Sequence, residues 1–216
     1  FLAPDVEVSA RRLSYGSSSI ESEYDAAVNA TEIIRVAVEG EKEGFDGAII
    51  NCFVDPALEA VREAVSYPVV GAGSASVQLA LSVGRRIAII TIVPNLLTMI
   101  NRLYAEHIVN GRICAIRSIN VQVVNIYSDD LIYDKLYEEA VKAICEDKAD
   151  TVILGCTGLG GMAQKVQRRL SESGYDIPVI DPVGASVTLL EALVRNNLSQ
   201  SKAAWMFPEE KERRLK

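Results

Sequence analysis

Two cysteines, Cys52 and Cys156, occupy matching places in a repeated stretch of this sequence. Cys52 ends the run GFDGAIINC and Cys156 ends the run KADTVILGC, so each follows a short apolar segment typical of a buried strand. The two cysteines are 104 positions apart. A thiol is a base when it is ionised and an acid when it is protonated, so a pair of thiols could move protons to and from a bound molecule.

The repeat continues beyond each cysteine. The segment YPVVGAGSASVQL follows the first cysteine, and IPVIDPVGASVTL follows the second. Six residues of the first segment reappear 110 positions later: Pro68, Val69, Ala75, Ser76, Val77 and Leu79. A duplicated half-domain with a thiol at the same place in each half predicts two thiols that face one cleft. Because a carbon atom can lose a proton on one face and regain one on the other, this arrangement suits a two-base racemase.

The composition is that of an ordinary globular protein and argues against several classes. The chain has 216 residues, of which 49% are hydrophobic and 24% charged, enough for one α/β core or two smaller lobes. A net charge of −7 argues against a nucleic-acid-binding surface, and no apolar run is long enough to cross a bilayer. With four cysteines, no Cys-x-x-Cys pair and one histidine, neither a zinc site nor a disulfide scaffold is expected. We therefore expect reduced thiols in a cytoplasmic protein.

Apolar runs alternate with segments of helical periodicity, which predicts an α/β fold with parallel strands and right-handed crossovers. Continuous apolar runs such as 48–50 and 152–154 favour strands that are covered on both faces. We expect two pseudo-symmetric three-layer α/β sandwich lobes with mostly parallel sheets and the active site in the cleft between them. The predicted strands lie near 5–13, 47–52, 68–72, 86–93, 114–126, 150–156 and 177–181, and the predicted helices near 21–43, 56–66, 74–84, 94–110, 130–147, 160–173 and 183–197.

The repeat also predicts how the chain divides between the lobes. Residues 1–84 together with about 183–216 should form the first lobe, and residues 85–182 the second lobe, which carries Cys156. Compared with the second half, the first half lacks about 20 residues before its cysteine. We therefore expect the natural protein to have a further N-terminal strand and the start of a helix.

The last residues of the chain, 198–216, have mixed charge and include Trp205 and Phe207. One interpretation is a surface extension. The other is an aromatic clasp that packs onto a neighbouring lobe or subunit.

Ligands of open parallel sheets bind at the carboxyl ends of the strands, where both cysteines are predicted to lie. Each cysteine is followed by a segment expected to start a helix, with Asp55 as N-cap and Pro56 in the first turn after Cys52. A glycine-rich stretch follows Cys156. A helix N-terminus lowers the pKa of a thiol, and its N–H groups would stabilise the enolate-like oxygen formed when a proton leaves the adjacent carbon.

Other residues of chemical interest lie outside this pair. Thr91 ends a predicted strand, and its hydroxyl either points near the cleft or belongs to an ordinary strand residue. Cys114 and Cys145 do not follow a strand end, so they are interpreted as small buried hydrophobic residues. His107 lies on a predicted helix among apolar residues, which favours a structural role. Gly71-Ala72-Gly73 is half of a dinucleotide-binding fingerprint, but the full spacing is absent, so no nicotinamide site is expected.

At these residues the chain resembles the aspartate/glutamate racemase superfamily and, within it, the hydantoin racemase branch. The resemblance covers nearly the whole chain. It rests on YGSSSIES at 15–22, NCFVDP at 51–56, PVVG at 68–71, LGCTG at 154–158 and the pair Ser201-Lys202. It implies a cofactor-independent racemase in which two half-repeats close on the substrate and Cys52 and Cys156 are the acid/base pair.

Two departures from the superfamily patterns bear on the substrate. Amino-acid racemases of the superfamily usually carry a histidine after the second Cys-Thr, where this chain has Gly158. That difference favours a substrate other than free glutamate or aspartate. Ser74 stands where hydantoin racemases usually have a glutamate, which leaves the exact substrate open.

The residues and the resemblance together lead us to expect racemisation of a 5-substituted hydantoin or a related cyclic ureide such as allantoin, without metal or cofactor. The enzyme is expected to act on a small molecule, to have no nucleic-acid or membrane partner, and to be a homo-oligomer. The alternatives are an aspartate/glutamate-type racemase, a decarboxylase that would need one of the two cysteines, and a non-catalytic two-lobed binding protein. The residues expected to bind the substrate are Asn51, Phe53, Thr91, Thr157 and Gly158.

Overall fold

The computed structural model describes residues 3–121 and 129–212, in which helices alternate with short strands. The strands are β1 (Ala48–Ile50), β2 (Val69–Gly71), β3 (Ile87–Thr91), β4 (Ile113–Ser118), β5 (Thr151–Leu154) and β6 (Val179–Ile180). The helices are α1 (Glu23–Lys42), α2 (Leu58–Ala64), α3 (Ala72–Val83), α4 (Asn95–Leu103), α5 (Ala105–Val109), α6 (Asp129–Cys145), α7 (Met162–Glu172) and α8 (Pro182–Arg195), with a 3₁₀ turn at Thr157–Leu159.

The described strands form two separate sheets, and every pairing in them is parallel. The first sheet pairs β1 with β2, and the second has the order β4-β3-β5-β6. The strands before the two cysteines, β1 and β5, each pair with the next strand along the chain. Within the described residues, β5 also pairs with β3 on its other edge, whereas β1 has no second partner. The predicted α/β fold with parallel strands is confirmed, and the division of the chain into two lobes stays a prediction.

Helices cover both sheets and explain why the strand sequences are continuously apolar. Helices α6 and α7 contact the second sheet, and α3 contacts β5 and β6. Helices α1, α2 and α8 contact the first sheet, and α8 also packs along α3. Every residue of β3 and β5 is buried. Because a fully buried aliphatic side chain contributes about 1.5–3 kcal/mol to stability, these two strands hold the second sheet at the centre of the core.

The predicted strand at 5–13 is wrong, since these residues have no strand conformation. They run mostly exposed over the surface and are held to helices by ion pairs. Asp5 accepts from Arg195 of α8 at 2.6 Å, and Arg11 pairs with Glu43 at the end of α1. The charges that interrupt the apolar alternation are therefore used to anchor the segment in place of strand pairing.

Two other predicted elements differ from the structure. The single helix expected at 94–110 is divided into α4 and α5 at Tyr104, which has φ −114° and ψ 25° and a buried side chain. The break allows the Tyr104 ring to enter the core edge-on to Phe53, with 6.2 Å between ring centroids. The strand expected at 114–126 ends at Ser118, and part of that prediction, 122–126, lies outside the described residues.

The tail folds back onto α2, which belongs to the same predicted lobe. This contact is neither a free surface extension nor a clasp onto a neighbouring lobe, and a contact with another subunit stays a prediction. Gln200 donates its side-chain N–H to the carbonyl of Val65 at 3.0 Å, and Lys202 donates to the carbonyl of Arg62 at 2.7 Å. These two side chains satisfy carbonyls at the C-terminus of α2, which have no partner within the helix. The Arg62 guanidinium lies 5.1 Å from the centre of the Trp205 ring, which holds the tail against the same helix.

Candidate active site

Cys52 and Cys156 lie just beyond the carboxyl ends of β1 and β5, as predicted. The chain segments that contain them are joined directly, because Thr157 donates its hydroxyl to the carbonyl of Asn51 at 3.1 Å. The two thiols are also close enough for the charge of Cys156 to raise the pKa of Cys52. Residues 106 positions apart in sequence are thus brought into one site.

The two cysteines begin loops that share two backbone features. These loops are the first cysteine loop (52–57) and the second cysteine loop (156–161). In each loop the residue three positions after the cysteine donates its N–H to the cysteine carbonyl, at 3.0 Å in the first and 3.1 Å in the second. Each loop ends in a left-handed residue that precedes the next helix, Ala57 with φ 59° and Gly161 with φ 79°. The sequence repeat is therefore matched by a repeat of local structure at the cysteines.

The Cys52 thiol is strongly biased toward its neutral form. Burial raises its pKa to about 12, and the charges of Cys156 and Asp55 raise it as well. The backbone N–H of Val54 opposes this by donating toward the sulfur. We expected a nearby helix N-terminus to lower the thiol pKa, and this is wrong for the free protein because loss of solvent outweighs the backbone donor.

The Cys156 thiol has more help in carrying a negative charge. Burial raises its pKa, and the charge of Glu21 raises it further. Two backbone N–H groups, those of Gly158 and Leu159, lower it. Because two donors face this sulfur and one faces Cys52, the second loop is the better host for a thiolate.

Asp55 does not cap the helix that follows Cys52, which corrects the prediction. Helix α2 begins beyond Pro56, after the left-handed Ala57, and has no side-chain cap. The Asp55 carboxylate turns instead to the start of α3, where it accepts from the backbone N–H groups of Gly73 at 2.9 Å and Ser74 at 2.8 Å. A cap for a helix 18 residues away cannot be recognised from local sequence.

The residues predicted to bind substrate divide into two groups. Asn51 and Gly158 are exposed and Thr157 is half-buried, so these three are available at the surface of the site. The Phe53 ring is only 2% exposed and packs against Tyr104. The ring is therefore part of the hydrophobic core, and the expectation that it contacts the substrate is not met in this structure.

Thr91 also has a role other than the one predicted for its hydroxyl. The residue is completely buried, and its hydroxyl donates to the carbonyl of Gly155 at 3.3 Å. The side chain therefore links the end of β3 to the residue before Cys156, and it does not reach the surface of the site.

The remaining reactive residues lie away from the carboxyl ends of the strands. Cys114 is near the start of β4, where its thiol donates to the carbonyl of Ile87 at 3.4 Å. Cys145 ends α6 and is exposed, which corrects the expectation that it is buried. His107 is half-buried on α5.

Two residues of the site were missed by reasoning from sequence, Ile20 and Glu21. Ile20 lines a cavity of about 510 Å³ that runs beside β1 and reaches the first cysteine loop. Glu21 acts electrostatically on Cys156. Both belong to the serine-rich segment 15–22, which leads into α1 through the N-cap Ser22. That segment was noticed only as part of a resemblance, because nothing in its local pattern places it beside the cysteines.

Among residues 3–121 and 129–212 there is no group of three or more His, Cys, Asp or Glu side chains arranged to hold a metal ion. Within the same ranges, the helices are too short or too polar to cross a membrane.

Two solved structures share this fold over nearly the whole chain. The allantoin racemase from Klebsiella pneumoniae matches with a TM-score of 0.89 and 33% sequence identity, covering 97% of this chain and 84% of that chain. The allantoin racemase from Pseudomonas fluorescens matches with a TM-score of 0.89 and 25% identity, covering 97% of this chain and 88% of that chain. Together with the sequence relatives, these matches assign the protein to the isomerases of the racemase class.

Sequence comparison identifies the family. The model of the Asp/Glu/Hydantoin racemase family matches residues 2–190. The hydantoin racemase of Pseudomonas sp. (strain NS671) is 33% identical over 210 residues, which cover 96% of this chain and 82% of that protein. The chain belongs to the Asp/Glu/Hydantoin racemase family, as the resemblance of its motifs predicts.

Proposed function

We propose that this protein racemises 5-substituted hydantoins or a related cyclic ureide such as allantoin, by two-cysteine proton transfer without a cofactor. The observation that carries the proposal is the pairing of Cys52 and Cys156. Their loops share a hydrogen bond to the cysteine carbonyl and a left-handed last residue. The loops are joined by the bond from Thr157 to Asn51, and they bring the thiols within electrostatic reach. The similarity to hydantoin and allantoin racemases supports this substrate class.

The proposed reaction starts with one cysteine as thiolate and the other as thiol. The thiolate takes the proton from the ring carbon that bears the substituent, and the electron pair of that C–H bond is delocalised onto the adjacent ring carbonyl. The thiol on the opposite face then gives its proton to the same carbon. The stereocentre is inverted, and the two cysteines have exchanged their protonation states. The other enantiomer reacts by the same steps in reverse.

The raised thiol pKa values have a chemical use in this reaction. Burial raises the pKa of both Cys52 and Cys156, so either thiolate is a stronger base than that of a free cysteine. A carbon acid is weak, and a stronger base is better matched to it. Because Gly158 and Leu159 direct N–H groups at Cys156, we assign the resting thiolate to Cys156 and the resting thiol to Cys52.

The charges around the thiols favour a neutral ring over a free amino acid. Asp55 and Glu21 are the side-chain carboxylates that act on Cys52 and Cys156, and each raises a thiol pKa. A carboxylate of bound aspartate or glutamate would be repelled by the same charges. A hydantoin or allantoin ring has no carboxylate, and its N–H groups can donate to exposed carbonyl and carboxylate oxygens. The site therefore favours a cyclic ureide over the amino-acid alternative.

The proposal is tested by measuring kcat/KM with a polarimeter for L-5-benzylhydantoin, single-enantiomer allantoin, L-aspartate and L-glutamate. We expect at least one of the two rings to be racemised more efficiently than both amino acids. More efficient turnover of either amino acid would establish the amino-acid racemase alternative. Tight binding of a ring with no loss of optical rotation would indicate a non-catalytic binding protein.

A further inference from the structure

One carboxylate ties the first cysteine loop to a helix that begins well beyond it. The two oxygens of Asp55 accept from different donors at the start of α3. One oxygen accepts the N–H of Gly73 at 2.9 Å, and the other accepts the N–H and the hydroxyl of Ser74 at 2.8 and 2.5 Å. The loop that begins at Cys52 is therefore fixed to the N-terminus of the helix that follows the next strand.

A second carboxylate makes the corresponding tie for the second cysteine loop, from the opposite side. Asp181 is the N-cap of α8, and one of its oxygens accepts the N–H groups of Val183 at 2.9 Å and Gly184 at 3.2 Å. The other oxygen accepts the N–H of Gly161, the last residue of the loop, at 2.9 Å. Again a cysteine loop is fixed to the N-terminus of the helix that follows the next strand.

The two halves of the repeat place this carboxylate at different positions, on the cysteine loop in the first half and at the helix N-cap in the second. Counting 110 positions along the repeat, Gly71 is the equivalent of Asp181. A Cβ atom at Gly71 would lie 2.3 Å from the carboxyl carbon of Asp55, so the first tie occupies the space where a side chain at this position would begin. A Cβ atom at Gly73 would lie 1.9 Å from the carbonyl oxygen of Phe53 in the same loop. The tripeptide Gly71-Ala72-Gly73 is thus explained by the close approach of the first cysteine loop.

We propose that Asp55 and Asp181 are positioning residues, each of which holds one of the two catalytic thiols in place through a carboxylate shared between a cysteine loop and a helix N-terminus. This inference rests on the proposed two-thiol reaction. In the first half the loop supplies the carboxylate, and in the second half the helix cap supplies it. Neither residue touches the substrate.

The chemistry of the ties requires a carboxylate. In both cases each of the two oxygens accepts at least one backbone N–H, so an asparagine would direct its NH₂ group at an N–H donor whichever way it turned. Burial raises the pKa of Asp55 to about 6, although the hydrogen bonds from Ser74 and Gly73 and then the charge of Arg62 lower it. Its other titratable neighbours are Tyr104 and Cys52, whose pKa values its charge raises. A buried charge is unfavourable for folding, so its presence at Asp55 supports a functional role for this carboxylate.

The test measures the reactivity of each of the two thiols in each of two variants. Asp55→Asn and Asp181→Asn are treated with iodoacetamide, and alkylation of Cys52 and Cys156 is followed separately by mass spectrometry of peptides. In Asp55→Asn we expect Cys52 to react at least about fivefold faster, because the loop is loosened and a negative charge is removed, with Cys156 unchanged within about twofold. In Asp181→Asn we expect the reverse pattern. The exposed residues Asp46 and Asp176 give matched control variants, Asp46→Asn and Asp176→Asn, in which neither rate changes.

If the role of these residues is only structural, each variant will change the alkylation rates of both thiols together and will also change the melting temperature. That result would overturn the proposal. Unchanged alkylation in both variants overturns it as well. If Asp55→Asn does not fold, Ser74→Ala removes a single bond of the first tie, and a smaller increase confined to Cys52 is expected, whereas no increase contradicts the tie.

Activity supplies a separate readout. Because misplacing a reacting group by about 1 Å can cost roughly 100-fold in rate, we expect each variant to lose about 10- to 100-fold in kcat with KM changed less than about threefold. A loss confined to KM would overturn the positioning role. The expected alkylation pattern could be found while the wild type racemises none of the substrates. That result would support the positioning roles of Asp55 and Asp181 and would refute only the proposed function.

Discussion

The two cysteine loops share two backbone features and differ in their electrostatics. Both turn on a hydrogen bond to the cysteine carbonyl and end in a left-handed residue. The first loop carries its own buried carboxylate, Asp55, whose charge raises the pKa of Cys52. The second loop is tied by Asp181 on the following helix, and two N–H groups face its thiol. A repeated backbone thus leads to two thiols with unequal tendencies to ionise.

This difference suits the proposed reaction, in which the two thiols start each turnover in opposite protonation states. If both thiols had the same surroundings, their mutual repulsion would keep one of them neutral, but neither would be favoured as the thiolate. Here the surroundings favour a thiolate at Cys156 and a thiol at Cys52.

Replacing either cysteine should nearly eliminate racemisation. A serine hydroxyl is a much weaker acid than a thiol, so Cys52→Ser or Cys156→Ser should reduce kcat by about 10²- to 10⁴-fold, the usual contribution of a general acid or base. Polarimetry with the best ring substrate measures the loss. Cys145→Ser, at an exposed residue of α6, is the control and should keep full activity. Wild-type turnover by either active-site variant would show that the two loops are not equivalent in function.

The two thiols should differ in the pH at which they react with iodoacetamide. The pKa of Cys52 is raised to about 12, and the two N–H donors to Cys156 favour its ionisation at lower pH. Because the thiolate is the form that reacts, Cys156 should be alkylated faster than Cys52 near pH 9. Equal rates, or faster reaction of Cys52, would contradict the assignment of the resting thiolate.

The pH range of that experiment is limited by stability. A thiol whose pKa is higher in the folded than in the unfolded protein favours folding below the unfolded value of 9.0. For Cys52 this contribution is lost as the pH rises from about 9 toward about 12. Alkylation should therefore be followed between about pH 7 and 9.5, with the exposed Cys145 as an internal reference for reagent reactivity.

Replacing Gly71, which lies against the first cysteine loop, should lower stability, whereas replacing Gly160 in the second cysteine loop should not. Gly71→Ala places a Cβ atom 2.3 Å from the Asp55 carboxyl carbon, so we expect the free energy of unfolding to fall by about 1–3 kcal/mol, as in overpacked cores. Gly160 has φ −51°. Among the described residues beyond its chain neighbours, the nearest atom to an added Cβ would be the carbonyl oxygen of Thr157, at 3.5 Å. Urea unfolding of Gly71→Ala and Gly160→Ala measures the difference, and equal stabilities would contradict the first tie.

The repeat made the location of the cysteines predictable from sequence. An apolar run that ends in Cys52 or Cys156 is a local pattern, and ligands of parallel sheets bind beyond the carboxyl ends of such strands. Both strands and the place of each cysteine just beyond them therefore followed from the sequence, although the two strands belong to separate sheets. The serine-rich segment 15–22 reaches the site through tertiary packing, which its own pattern does not encode.

Roles that depend on distant partners could not be predicted. Asp55 next to Pro56 has the local pattern of a helix cap, but its carboxylate finds better donors at Gly73 and Ser74. Thr91 and Phe53 stand at or beside strand ends, yet one hydroxyl is buried against a carbonyl and one ring enters the core. Burial of a side chain is decided by the neighbouring elements, and those become known only with the fold.

The central claim, that Cys52 and Cys156 serve opposite faces of one carbon, is tested most directly by hydrogen exchange with the solvent. Each enantiomer of the best ring substrate is incubated in deuterated buffer with wild type, Cys52→Ser or Cys156→Ser, and loss of the C–H signal is followed by NMR. The wild type should exchange both enantiomers. Each variant should exchange only the enantiomer whose proton faces its remaining thiol, so that the two variants act on opposite enantiomers. Exchange of both enantiomers at the wild-type rate by either variant would contradict the two-thiol mechanism.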